Sequence, residues 1–327
     1  LITKAKYTFF EKNTFIRLIN ALRLRLSLSL ASFDKLDMSD EKEIWQNHNF
    51  SSLASHLSVP TVFLRDRWYH PRTLLELASI KKAINEMPEP QTQEVREFMD
   101  LCLVAFSSIL KKCSSQQEHM SYVADNMIPR VLKYKPAPKH FWNQIAKYVL
   151  ALSQLEFELR QAFGNIPNPR ELATTKVGDA RDLHFVHDGQ IDCIITSPPY
   201  QGAIDTTTAH RLTAYWLDFD INSLKQREIG ARWRRSRKNA FEEYSGDLTL
   251  VFNEMKRVLR RGGTLALILG IPSARKQPLE INSLVHKLLV HDLGFVEVCE
   301  PIIRQTMPER KSVKSIKDDI IMVFLKD

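Results

Sequence analysis

The chain has little glycine, little cysteine and no long apolar run. Only ten of its 327 residues are glycine and none forms a Gly-x-Gly pattern, so the glycine-rich loop that brings backbone close to a ligand is not found. The cysteines lack ligand-like spacing, which argues against a thiolate metal site and predicts free, mostly buried thiols in a reducing cytoplasm. They are Cys102, Cys113, Cys193 and Cys299. No apolar run approaches a membrane span, so we expect no membrane association.

Basic residues outnumber acidic ones. Lysine and arginine total 46 against 38 aspartate and glutamate, which gives a net charge of +8. This balance favours a polyanionic partner, although composition separates nucleic acid only weakly from an acidic protein surface. The length is sufficient for two domains with their own cores. The prolines of Ile166-Pro167-Asn168-Pro169 predict the border, with a helical region at 1–168 and an α/β region at 169–327.

The first region shows helical periodicity. Apolar residues recur at helical spacing over Pro71–Asn85 and again over Gln93–Lys112, which predicts the core of a helical bundle. The segment Lys4–Leu30 is basic and amphipathic, and the chain begins with Leu1 rather than Met. We therefore expect a helix that starts in preceding sequence, and hence a fragment or an alternative start codon.

The second region alternates short apolar strands with helices, which predicts an α/β fold built on a parallel sheet with helices on both faces. The predicted helices are Gly246–Arg260 and Ile281–His291, and the predicted strands are Thr174–Val177, Ile191–Ile195, Thr264–Leu269, Phe295–Cys299 and Asp319–Leu325.

The strand Ile191–Ile195 is nearly uncharged and rich in β-branched residues, the pattern of a strand buried on both faces. It ends in Ser197-Pro198-Pro199-Tyr200. Two prolines fix the backbone, and ligands of open α/β sheets bind at this end of a strand. A proline carbonyl and the Ser197 hydroxyl could hold the hydrogens of an exocyclic base amine, and Tyr200 could stack on a flipped base. The alternative is an ordinary proline-containing strand exit.

This motif resembles motif IV of the S-adenosylmethionine-dependent DNA amino-methyltransferases. The resemblance implies a site-specific enzyme of DNA methylation, as in restriction-modification, that acts on double-stranded DNA in a bacterial or archaeal cytoplasm. Its Ser-Pro-Pro-Tyr form favours cytosine N4 over adenine N6. Gly178-Asp179-Ala180 resembles motif III, so Gly178 and Asp179 are implied cofactor-binding residues; Asp179 could instead be only a turn residue. No metal and no catalytic cysteine are implied.

The resemblance also implies a Rossmann-like methyltransferase sheet of order three-two-one-four-five-seven-six. The strands recognised here are the third to the seventh, so the sheet is expected to be incomplete, with its first strands and the glycine-rich cofactor loop missing. A longer precursor or a second polypeptide would then complete it, or the fragment is inactive. Two segments of the helical region resemble the DNA-gripping or site-covering insertion of such enzymes. They are Arg67–Arg72 and Tyr134–Lys139.

Basic residues after the motif are the candidates for DNA contacts. Arg211 lies in a segment that resembles the family's helix after Pro-Pro-Tyr, although Thr206-Thr207-Thr208 replaces the aromatic residue usual there. The segment Lys225–Lys238 is strongly basic and includes Trp233. Its residues could contact phosphates, or the segment could be a solvated loop. The candidates in it are Arg232, Arg234, Arg235, Arg237 and Lys238.

Two other functions stay open at this point. An RNA methyltransferase acting on an exocyclic amine would share the Pro-Pro-Tyr chemistry, although Asn more often precedes its prolines. A non-catalytic fragment or partner subunit would bind nucleic acid without cofactor affinity.

Overall fold

A computed structural model describes residues 2–6, 8–34, 41–65, 68–87, 92–116, 129, 131–164, 173–199, 205–234, 236–272, 278–305 and 316–327. The chain divides into two units, one of residues 1–176 and 211–219 and the other of residues 177–210 and 220–327. The predicted border at 168/169 lies outside the described residues. The α/β class is confirmed, since helices precede a mixed five-stranded sheet.

Helices make up nearly all of the regular structure before residue 191. The α-helices are α1 (Ile2–Ala5), α2 (Lys12–Ala31), α3 (Glu41–Gln46), α4 (His48–His56), α5 (Thr61–Arg65), α6 (Pro71–Asn85), α7 (Gln93–Cys113), α8 (Ala137–Phe163), α9 (Thr206–Ala209), α10 (Arg211–Trp216), α11 (Ile221–Arg227), α12 (Ala240–Val258) and α13 (Pro278–His286). A 3₁₀ turn spans Arg232–Arg234, and a π-helical turn, Lys287–Asp292, follows α13.

The core of the helical unit is built around α6, whose bounds match the prediction. Pro71 occupies its first turn, where the missing N–H costs nothing, and His70 accepts a hydrogen bond from the Arg72 N–H. Trp216 of α10 is fully buried in the same core. Its ring stacks on Phe63 at a centroid distance of 5.3 Å and meets Phe106 edge-on at 5.5 Å. The short helix α10 thus belongs to the helical unit although it follows the Ser-Pro-Pro-Tyr motif.

The sheet of the second unit has the order β1-β2-β5-β3, and β4 also pairs with β5. Its strands are β1 (Ile191–Thr196), β2 (Leu259–Pro272), β3 (Phe295–Glu297), β4 (Ile302–Gln305) and β5 (Ile316–Lys326). β1 and β2 are parallel, whereas β5 runs antiparallel to β2, β3 and β4. This order equals the four-five-seven-six part of the expected sheet, including its antiparallel edge. β4 was not predicted.

The buried side chains of α12 form the second core together with those of the sheet. Tyr244, Phe252 and Met255 of α12 share this core with Leu267 of β2 and Phe324 of β5. Their helical spacing places them on one face of α12. The helix therefore packs against the sheet with this face, and its other side chains can contact nearby loops.

Three sequence predictions are wrong. Thr174–Val177 is not a strand, and Val177 is fully exposed. β1 is not buried on both faces: Cys193 and Ile195, which share a face, are exposed, and 72% of the Ile195 surface is open. Thr174–Val177 does not pair with the outer edge of β1, and nothing in the described ranges packs over the face that carries Cys193 and Ile195. The thiols are free, but only two of the four are buried.

The described ranges contain neither a membrane-spanning helix nor a metal cluster. No helix there has the length and apolarity needed to cross a bilayer. Likewise, no group of three or more His, Cys, Asp or Glu side chains in these ranges could hold a metal ion.

Candidate active site

The turn after β1 is anchored to β2. Ser197 follows the last strand residue and donates its Oγ hydrogen to the Ile268 carbonyl at 3.0 Å. Pro198 is buried, whereas Ser197 and Pro199 are exposed. This hydrogen bond orients the Ser197 hydroxyl relative to the turn. Tyr200, the last residue of the motif, lies outside the described residues.

A second anchor comes from α12. The Tyr244 hydroxyl donates a hydrogen bond to the Pro199 carbonyl at 2.8 Å. Tyr244 is only 2% exposed. Nothing in the sequence pointed to this tyrosine, because its partner lies 45 positions away and no motif joins them.

Asp179 lies in a tight turn and is paired with Arg181. The Arg181 Nε and Nη2 atoms donate to the two carboxylate oxygens of Asp179 at 3.0 and 2.7 Å. Arg181 also donates from Nη1 to Asp247 Oδ1 of α12 at 2.7 Å. These hydrogen bonds from Arg181 lower the pKa of the Asp179 carboxyl, and the same partners raise the pKa of Arg181. Asp179 is therefore an ionised acceptor held in a fixed orientation.

The loop that follows Asp179 is also held by α12. Glu254 accepts the Leu183 N–H at 2.7 Å, and Arg257 donates to the Leu183 and Val186 carbonyls, each at 3.0 Å. Hydrogen bonds from Arg257 lower the pKa of Glu254 to about 2. A Cβ at Gly178 would lie 2.6 Å from the Phe185 ring, so a larger residue there requires this half-buried ring to move.

The basic segment surrounds an exposed indole. Trp233 is 40% exposed, and the guanidinium carbons of Arg237 and Arg234 lie 4.7 and 5.2 Å from its ring centroid. Glu243 of α12 forms ion pairs with both arginines, at 3.3 Å to Arg237 and 3.9 Å to Arg234. These residues line an open cleft of about 550 Å³. Lys238 is exposed and Arg232 half-buried, whereas Arg235 lies outside the described residues.

The segment after the motif reaches this basic region. Asp205 accepts the Trp233 N–H at 2.9 Å, and Glu228 accepts the N–H of Thr206. Arg211 is different, since it is 5% exposed within the helical unit. A buried guanidinium cannot reach a phosphate unless its helix moves, so Arg211 is not retained among the proposed DNA contacts.

Helix α12 connects three of the predicted groups. Glu243 holds two arginines of the basic segment, Tyr244 holds the Pro199 carbonyl, and Asp247 holds the partner of Asp179. The three residues lie within about one helical turn of each other. The motif turn, the acidic turn and the basic segment are therefore positioned by one rigid element.

No family model matches the chain. Over 152 residues, or 46% of its length, the chain is 30% identical to the type II methyltransferase M.MjaII of Methanocaldococcus jannaschii. The matched region is 25% of that relative, so the chain spans about a quarter of the relative's length.

Solved structures give weaker matches. TTHA0409 of Thermus thermophilus, provisionally assigned as a DNA modification methylase, matches 46% of this chain and 52% of its own, with 21% identity and a TM-score of 0.30. The PvuII DNA methyltransferase (cytosine-N4-specific) matches 46% and 48%, with 13% identity and a TM-score of 0.29. Because both TM-scores are below 0.5, these matches give no information on the fold or the site of this chain. By sequence, the chain is related over about half its length to a type II methyltransferase, which confirms the resemblance predicted from Ser-Pro-Pro-Tyr.

Proposed function

We propose that the chain is part of a DNA methyltransferase that transfers a methyl group from S-adenosylmethionine to an exocyclic base amine, with cytosine N4 favoured over adenine N6. The observation that carries the proposal is the doubly anchored Ser197-Pro198-Pro199 turn at the carboxyl end of β1. The preference for cytosine depends on the Ser-Pro-Pro-Tyr form of the motif.

The chemistry requires acceptors placed around the amine. An exocyclic amine is a poor nucleophile because its lone pair is delocalised into the base. Acceptors that hold its two hydrogens favour the pyramidal nitrogen that can attack a methyl sulfonium. Ser197 Oγ, oriented by its bond to the Ile268 carbonyl, is one such acceptor, and the Pro198 carbonyl is the proposed second. Tyr200 would stack on the flipped base.

The described residues fit one end of S-adenosylmethionine, which when bound supplies the electrophilic methyl. Asp179 is the proposed acceptor for the adenine amino group. Its Oδ1 already accepts hydrogen bonds from the Arg181 backbone N–H and Nε, whereas Oδ2 accepts one from Nη2 and has a second lone pair for the amino group. Gly178 would contribute turn geometry beside it. For the methionine end, the described ranges contain no glycine cradle, so we assign no residue to it.

Contacts to the DNA backbone are proposed for the exposed basic residues near Trp233. Arg237 and Lys238 are the most accessible, and Arg232 is half-buried. Arg234 also donates from Nη2 to the Gln226 carbonyl at 2.6 Å. It would therefore hold the neighbouring basic residues in position for their contacts with DNA. Arg235 keeps its predicted role as a proposal. Such contacts position a duplex without reading its sequence.

The open edge of β1 favours a reading in which a second polypeptide or a further segment completes the site. Ile195 is 72% exposed on a strand without an outer neighbour in the described part of the chain. Folded proteins usually cover or blunt such an edge. A strand paired with this edge of β1 would lie beside the Ser197 turn, where the proposed function requires a cofactor-binding loop.

The proposal is tested by methyl transfer from S-adenosylmethionine carrying a labelled methyl to duplex DNA and to structured RNA. With the chain expressed together with its upstream reading frame, we expect labelled DNA with the wild-type sequence and at least a hundredfold less with Ser197→Ala. The control is Thr249→Ala, which removes a hydroxyl of α12 that donates to the Ser245 carbonyl. Labelled RNA without labelled DNA would overturn the DNA substrate, and equal activity of Ser197→Ala would overturn the assigned site.

A further inference from the structure

The Ser-Pro-Pro turn is held by a tyrosine that no motif includes. Tyr244 is buried to 98% of its surface and directs its hydroxyl at the Pro199 carbonyl, 2.8 Å away. Burying a phenol hydroxyl is unfavourable unless it finds a partner. Here the partner belongs to the turn that carries the proposed target-amine acceptors.

The two anchors act on opposite ends of the turn. Ser197 is fixed to the Ile268 carbonyl of β2, and Pro199 is fixed to Tyr244 of α12. Pro198 lies between them and is buried. Prolines fix φ but cannot donate backbone hydrogen bonds, so the orientation of this short segment also depends on the Ser197 hydroxyl and on groups that donate to its carbonyls. That orientation decides where the Pro198 carbonyl points.

We propose that Tyr244 is a positioning residue for methyl transfer, an assignment that rests on the proposed function. By donating to the Pro199 carbonyl, its hydroxyl fixes the orientation of the turn, and with it the direction in which the Pro198 carbonyl and the Ser197 oxygen meet the two amine hydrogens. Tyr244 touches neither base nor cofactor. Its effect is on the geometry of the reacting amine, where a small misplacement has a large kinetic cost.

Tyr244→Phe removes only the hydroxyl, and Tyr148→Phe, which removes a hydroxyl from α8 of the helical unit, is the matched control. We expect Tyr244→Phe to lower kcat about tenfold to a hundredfold, with KM for DNA and for S-adenosylmethionine unchanged within about twofold. A purely structural role would instead lower the folded fraction and leave kcat per folded molecule at the wild-type value. That outcome would overturn the proposal.

A second readout does not depend on activity. With ¹³C-labelled proline carbonyls, the infrared difference between wild type and Tyr244→Phe should show one prolyl band at higher frequency, because one carbonyl loses its hydrogen bond. The Tyr148→Phe difference should lack this band. An unchanged prolyl spectrum in Tyr244→Phe would overturn the anchor. By contrast, if the wild-type chain expressed together with its upstream reading frame methylates no nucleic acid, the proposed function is overturned, whatever the spectrum shows.

Discussion

Glu76 is a buried carboxylate in the helical unit that joins two segments far apart in the sequence. Its side chain is 5% exposed and accepts hydrogen bonds from the Tyr134 hydroxyl and the Ala137 N–H, both at 2.9 Å. Arg72 lies 3.3 Å away. Ala137 opens α8, so the carboxylate also lies at the positive end of that helix. The two segments that resemble a methyltransferase insertion thus meet at one residue.

Burial raises the pKa of Glu76 above its ordinary 4.5, and hydrogen bonds from Ala137, Tyr134 and Arg72 offset part of this rise. Since the folded state holds the proton more tightly, the contribution of Glu76 to stability is complete below pH 4.5 and is lost as pH rises through the raised pKa. We expect the unfolding free energy of wild type, relative to Glu76→Gln, to fall as pH rises from 4.5 toward neutrality.

Urea titrations at a series of pH values measure this difference. The control is Glu156→Gln, which removes an exposed carboxylate of α8 that pairs with Arg160. It gives the change in unfolding free energy that follows from the loss of one surface charge. A constant difference between wild type and Glu76→Gln over the whole pH range would contradict the assignment.

Single residues were predictable where a motif or local chemistry identifies them. Ser197 and the prolines stand in a recognisable string, and Pro71 marks the start of α6. Tyr244 and Glu76 were not predictable, because their partners lie 45 and 61 positions away. Only the folded chain brings such pairs together.

At the scale of elements, the β1–β2 pairing depends on two adjacent glycines, one for its φ and the other for a close backbone approach. The register runs from Ile191 opposite Leu259 to Cys193 opposite Thr264, so β2 carries extra residues there. Gly262 adopts a positive φ of 65°, a conformation that favours glycine. A Cβ on Gly263 would lie 2.8 Å from the Arg260 carbonyl oxygen and 3.1 Å from the Asp192 carbonyl oxygen.

Gly263→Ala should therefore destabilise the sheet unit by about 1–3 kcal/mol through overpacking against backbone that cannot give way. The control is Gly246→Ala on α12, where an added Cβ meets nothing within 4 Å. That change should stabilise the protein by up to about 1 kcal/mol, because alanine is the better helix former. Denaturant midpoints compare the two, and a Gly263→Ala variant as stable as wild type would contradict the packing.

Elements were predictable where periodicity is strong and the neighbours belong to the chain. α6, α7 and the strands β2 and β5 follow this rule. Thr174–Val177 has a strand-like composition but forms none, since a strand is defined by a hydrogen-bonded neighbour and none pairs with it among the described residues. The exposed face of β1 has a different origin, since nothing in the described part of the chain packs over Cys193 and Ile195. β4, at Ile302–Gln305, was missed because four residues are too few for a pattern.

At the scale of the whole molecule, the net charge of +8 includes basic groups that already pair with acidic side chains. Much of the basic segment is engaged internally, as the ion pairs of Arg234 and Arg237 with Glu243 show. Arg237 and Lys238 remain exposed. The composition therefore indicates a polyanionic partner. Among the predicted contacts that the structure describes, Arg237 and Lys238 are the most accessible to it.

The double variant Arg237→Ala and Lys238→Ala should weaken DNA binding in low salt and flatten the dependence of log K on log salt by about 0.9 for each phosphate that is no longer neutralised. Fluorescence anisotropy of labelled duplex DNA over a series of salt concentrations measures the slope. Arg261→Ala with Lys287→Ala is a control of equal charge change in the same unit. If the slope were unchanged for Arg237→Ala with Lys238→Ala, these two residues would not contact DNA phosphates.

The central claim is methyl transfer to a base amine at the Ser197 turn. Nucleoside mass spectrometry tests it most directly, on DNA from a host that lacks both amine marks and expresses the chain together with its upstream reading frame. We expect N4-methylcytosine with wild type and none with Ser197→Ala. N6-methyladenine instead would keep the reaction and change the base. Neither mark, with the expressed protein present and folded, would contradict the account.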